Sequence, residues 1–117
     1  MELRTVGCIE DDAMLEIKDV LGETVRLTKE VWDVIVIKHP ELRNLKSYIA
    51  VTLSNPEVIT RSFYDERVVL YYRYFPAILR GKFLVVVVKK VSNAERYVAT
   101  AYITDKRKGG EILWLRK

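Results

Sequence analysis

One cysteine, three prolines, five glycines and a single histidine among 117 residues leave several chemistries without raw material. Cys8 stands alone, so no disulfide can form within the chain, and Cys8 with His39 falls short of the four ligands a closed zinc site usually takes. A reducing, cytoplasmic compartment is the natural expectation. Long apolar runs are missing as well: the longest, 83–88, is far shorter than the roughly twenty residues that cross a bilayer. The opening Met1-Glu2-Leu3-Arg4 soon meets Asp11, Asp12 and Glu16 rather than the apolar stretch of a signal peptide. No membrane partner is expected. There is no glycine-rich phosphate loop, because Gly109-Gly110 follows Lys106-Arg107-Lys108 and reads first as a charged hairpin turn. No serine sits in a nucleophile-elbow sequence, and Cys8 is far in sequence from His39. The one tight carboxylate cluster, Glu10-Asp11-Asp12, reads as a solvated turn, so neither a metal nor a cofactor is expected.

What is present is a chain that is 50% apolar and 31% charged, the size and balance of one globular domain spanning 1–117. A chain of this length buries about two-thirds of its unfolded surface and can hold a core without staples. Charge is unevenly spread. Residues 1–56 carry 7 Lys and Arg against 10 Asp and Glu, whereas residues 57–117 carry 13 against 6. The basic half also holds ten of the twelve aromatics. Basic residues interleaved with aromatics supply phosphate contact and base stacking, which makes a nucleic acid a candidate partner. The same composition also suits an ordinary small sheet with lysine-blunted edges.

Residues 1–26 read as a strand-rich extension, with short β-leaning stretches at 5–9, 15–20 and 24–27. Thr28 is a good N-cap, Glu30 and Asp33 complement the helix dipole behind it, and the spacing predicts a helix over 29–38. Val31, Trp32 and Ile35 share one stripe, on which His39 follows a turn later, so His39 should point toward the protein. Pro40 ends that helix and is well placed to begin another, carried by Leu42, Leu45, Ile49 and Leu53 and stopped by Ser54-Asn55-Pro56. From residue 57 the period drops to two, giving strands at 58–63, 68–74, 82–91, 97–104 and 111–114. Their short links favour antiparallel neighbours.

The expected fold is therefore α+β, a helical pair packed on a four- or five-stranded antiparallel sheet, with core 27–115. Alternation sends Val98, Thr100, Tyr102 and Thr104 to the face away from the helices, leaving Ala99 and Ala101 for close helix approach. Lys89, Lys90, Arg73 or Arg61 should stand beside those hydroxyls, according to register. The apolar strand 83–88 needs cover on both faces, from the N-terminal strands or from a partner chain.

One histidine plus strand-borne cations and hydroxyls suits metal-independent RNA cleavage, in which the 2′-OH attacks the adjacent phosphorus. His39 can act there as acid or base. Arg61 and Arg73 can grip phosphate in bidentate fashion, Lys90 lies beside Lys89, and Lys106, Arg107 and Lys108 offer nonspecific backbone contact.

The motifs His39-Pro40-Glu41 after the first helix, Asn55-Pro56-Glu57 closing the second, and Thr100-Ala101-Tyr102 on a late strand occur in this order. Leu27-Thr28-Lys29-Glu30, the 83–89 strand and Gly110-Glu111-Ile112-Leu113-Trp114 flank them. Together they resemble the phage-type members of the superfamily linking barnase, EndoU, colicin tRNases and RelE toxins, over about residues 25–115. The resemblance implies a helical pair on an antiparallel sheet and a metal-independent ribonuclease, often a toxin or a phage-conflict weapon. It also implies RNA as partner, tRNA among the candidates, and a protein inhibitor or antitoxin. By the same resemblance His39 is the acid or base, Lys89 the phosphate clamp, Thr100 a phosphate ligand and Tyr102 a stacking platform or proton donor. Two rival readings stand beside it: a noncatalytic nucleic-acid-binding module, and a homodimerisation domain using the apolar second face of the central strand.

Overall fold

In the computed structural model, residues 14–77, 81–107 and 109–117 are described. The expected strand at 5–9, Cys8, the Glu10-Asp11-Asp12 turn and Lys108 lie outside them. The chain forms β1 (Met14–Lys18), β2 (Thr24–Thr28), α1 (Lys29–Lys38), a 3-10 turn (Pro40–Leu42), α2 (Lys46–Ser54), β3 (Val58–Arg61), β4 (Val68–Phe75), β5 (Lys82–Lys90), β6 (Arg96–Thr104) and β7 (Glu111–Leu115). No helix among the described residues is long and apolar enough to cross a membrane.

Capping explains where α1 begins. Thr28 sits in extended geometry and its hydroxyl accepts the N–H of Val31 at 3.2 Å, satisfying a donor the first turn would leave open. Such a cap contributes about 1 kcal/mol. Pro40 does not start α2 as expected. It opens a single 3-10 turn, and Leu45, at φ −114° and ψ 21°, breaks the chain before α2 begins at Lys46.

The fold is α+β, but the sheet differs from the four- or five-stranded antiparallel one expected. It holds seven strands in the order β1-β2-β6-β5-β4-β3-β7. Strands β3 to β7 are joined antiparallel, and the N-terminal hairpin adds two more on the β6 side. That addition is parallel, through Val25 opposite Arg96 and Arg26 opposite Tyr97, so the sheet is mixed. The hairpin is a working part of the fold: Val25 and Leu27 are buried in the main core with Ile35, Leu42, Ile49, Leu53, Leu84, Val86 and Val88. Each such side chain contributes about 1.5–3 kcal/mol relative to exposure.

Asp19 fastens the hairpin to the sheet. Its buried carboxylate accepts the N–H of Leu21 at 2.9 Å, the N–H of Glu23 at 2.8 Å and the phenol of Tyr71 on β4. Burial first, and the hydrogen bond to Asp19 second, push the Tyr71 phenol well above its ordinary value.

The second face of the sheet carries its own apolar cluster, Val58, Leu70, Tyr72 and Val85, with Phe83, Val87 and Tyr102 against it. Sequence reasoning offered the N-terminal strands or a partner chain as its cover. The N-terminal strands instead extend the sheet at its β6 edge, and the β6–β7 connection runs beside this face. Strand β6 ends beside Phe83, and β7 begins beside Arg61 at the other end and the far edge of the sheet. The described residues of this connection, a strap between those two ends, border the second face: Gly109 lines a cleft with Leu70 and Val87. Gly110 lies flat on β3: a Cβ there would stand 2.9 Å from the Arg61 carbonyl oxygen and 3.2 Å from the Thr60 side chain.

Candidate active site

Two residues of β6 anchor the open half of the second face. Thr100 lies opposite Val87 and Tyr102 opposite Val85, on the face away from the helices, as alternation requires. Val98 does not join them. A bulge at Ala99 shifts the register between Val87 and Val88, turning Val98 into the helix-side core and leaving Ala99 exposed. Ala101 is fully buried against the helical layer.

Between the strap and the 62–67 connection lies a cleft of about 550 Å³. Val68, Leu70 and Val87 line it, Thr100 and Tyr102 stand along one side, and Phe63, Tyr64 and Gly109 close the other. Phe63 is 71% and Tyr64 98% exposed, a large apolar area to leave in water. An apolar floor with exposed rings and a few hydroxyls is suited to a planar, partly polar group such as a nucleobase.

His39 is not among the residues that line this cleft; it stands beside one of them, Tyr102. Strand β2 pairs with β6 only as far as Tyr97, and α1 also packs against β6. The His39 N–H closes α1 on the Ile35 carbonyl at 2.7 Å, which fixes the backbone from which the imidazole projects. The ring centroids of His39 and Tyr102 are 6.4 Å apart and tilted by 38°. His39 is part-exposed, and the Glu41 carboxylate stands 3.9 Å from Nδ1, beyond hydrogen-bond length.

Lys89 shares the face of Thr100 and Tyr102. It pairs with Val68, which lines the cleft, and lies two residues beyond Val87. The Asp65 carboxyl is held below its usual value, first by the N–H of Arg67 and more weakly by the charges of Arg67 and Lys89. Burial pushes the Tyr102 phenol up, so it stays protonated at neutral pH and can donate a hydrogen bond.

The other cations are placed elsewhere. Arg61 lies opposite Val69, on the helix-side face, and its Nε donates to Glu111 at 3.1 Å. Arg73 donates to the Asn55 carbonyl at 2.7 Å and lies over the Phe75 ring at 5.3 Å, where it locks the end of α2 to β4. Lys90 lines a small pocket with Asp19, Tyr71 and Arg96, again on the helix side. The register expected to align one of four cations with the hydroxyls selects Lys89 and sends these three to the opposite face. Lys106 and Arg107 are exposed on the strap.

Sequence reasoning did not single out Phe63, Tyr64 or Thr60. A signal for the first two existed: adjacent aromatics stand where a turn between strands ordinarily carries polar residues. Among the described residues no three His, Cys, Asp or Glu side chains converge as a metal site. Comparison with family models, with curated proteins and with solved structures gives no match.

Proposed function

We propose that this domain is a metal-independent ribonuclease whose cleft seats a nucleotide and whose His39 and Tyr102 work on the adjoining phosphodiester. The observation that carries this reading is the approach of the single histidine, 6.4 Å between ring centroids, to a protonated tyrosine on the face that also bears Thr100 and Lys89. The order of the three short motifs supports it from the sequence side.

In this mechanism His39 takes the proton of the 2′-OH, the 2′-oxygen bonds to phosphorus, and the bond to the 5′-oxygen breaks. The departing oxygen takes its proton from the Tyr102 phenol, leaving a 2′,3′-cyclic phosphate and a 5′-hydroxyl, and the proton held by His39 then restores the phenol through solvent. The Tyr102 phenol lies near enough to His39 to hydrogen-bond the same phosphodiester, while Thr100 and Lys89 stabilise charge on the non-bridging oxygens. Phe63 and Tyr64 stack on bases, which is sequence-tolerant because every base has a π-face. A protein inhibitor of such an enzyme would have this aromatic rim to cover.

Incubation with total RNA and with tRNA in excess EDTA tests the reading. Fragments ending in 2′,3′-cyclic phosphate are expected. Intact RNA that still forms a complex dissolved by salt would replace the ribonuclease with a noncatalytic binding module.

A further inference from the structure

On the far side of the strap from the nucleotide cleft lies a second cavity, about 390 Å³, lined by Thr60, Lys106, Arg107, Gly109, Gly110 and Ile112. Three independent observations meet there. Lys106 and Arg107 form no ion pair with any described residue, although Arg26, Lys29, Arg61, Arg67 and Arg96 all do. Thr60 is only 4% exposed and its hydroxyl has no hydrogen-bond partner, an uncommon condition for a buried polar group. Gly110 brings bare backbone against Thr60 and Arg61 of β3 and leaves no room for a side chain there.

We propose that this cavity is an anion site for a phosphate group, held by the Lys106 and Arg107 cations with the Thr60 hydroxyl as a directed donor. A flexible ammonium and a guanidinium fork together suit phosphate oxygens, and a neutral donor between them sets orientation. Gly109 lines both this cavity and the cleft. A nucleotide with its base on Val87 and Leu70 therefore has its neighbouring phosphate at the strap. That the phosphate belongs to RNA rests on the ribonuclease reading; the anion site itself stands on the geometry of the strap. Within that reading, the strap grips a phosphate flanking the scissile one and adds affinity rather than chemistry.

Amide shifts of the full chain, followed while inorganic phosphate and then a 2′-O-methyl oligoribonucleotide are added, test this. The methylated strand cannot be cleaved by 2′-OH attack. Phosphate should give saturable shifts at Thr60, Gly109 and Gly110. The oligonucleotide should shift these together with Val68, Val87 and Thr100, and should bind more tightly. The double variant Lys106→Ala/Arg107→Ala should weaken phosphate at least tenfold. Thr60→Val, which keeps volume in the core, should weaken it severalfold and provides a second, independent variant. Absence of saturable shifts at the strap, equal affinity in the double variant, or oligonucleotide shifts confined to the cleft would each overturn the anion site. Cleavage of RNA without strap shifts removes this site and leaves the ribonuclease reading. Strap shifts without cleavage leave the site and remove that reading.

Discussion

His39→Ala should lower RNA cleavage by about 10³-fold while leaving binding of an uncleavable oligonucleotide within a factor of about two, because positioned proton transfer typically contributes 10²–10⁴-fold. The side chain is part-exposed with its ring beside that of Tyr102, and the helix end depends on the backbone N–H, which alanine keeps. The folded state should survive the change. Single-turnover cleavage and fluorescence anisotropy on the same preparations separate the two effects. Equal loss of binding and cleavage would make His39 a binding residue. Unchanged cleavage would take it out of the reaction.

Asp19→Ala should cost about 3 kcal/mol of stability in urea denaturation. It removes three hydrogen bonds to one buried carboxylate and leaves the Tyr71 phenol without its partner. It also releases the hairpin whose Val25 and Leu27 fill the core. A loss under 1 kcal/mol would mean that β1 and β2 are held by packing alone.

The same pair gives an alkaline signature. Tyr71 titrates well above its usual value of 10.0 in the folded chain, so above pH 10 the folded state holds a proton that the unfolded state has lost. The contribution is fully present below pH 10. From there stability should fall with a slope of up to about 1.4 kcal/mol per pH unit from this one group. Tyr71→Phe should remove that component of the slope, while lowering stability at pH 7 through the lost hydrogen bond. An identical alkaline slope in the variant would contradict the assignment.

Local physics made part of this legible in advance. Thr28 followed by an acidic first turn marks α1, and the period-two pattern marks β4, β5 and β6, because caps and alternation act within a few residues. Alternation also placed Thr100 and Tyr102 on one face. It failed at Val98, where an extra residue at Ala99 reverses the parity, and nothing in Tyr97-Val98-Ala99-Thr100 announces a bulge. The parallel pairing of β2 with β6 was hidden because it involves just two residue pairs, set by where α1 must lie. The strap was hidden for a related reason: 105–110 has the composition of a tight turn, and only the position of β7 at the far edge of the sheet shows otherwise. Which of Arg61, Arg73, Lys89 and Lys90 stands beside Thr100 and Tyr102 was left to register, because the face a strand residue takes depends on pairings that short strands specify only through their long-range partners.

The most direct measurement is cleavage of two otherwise identical oligoribonucleotides in EDTA, one all-ribose and one with 2′-deoxyribose at each nucleotide the enzyme cuts. Cleavage of the first to a 2′,3′-cyclic phosphate and an intact second strand are expected. Equal cleavage of both, or of neither, would contradict it.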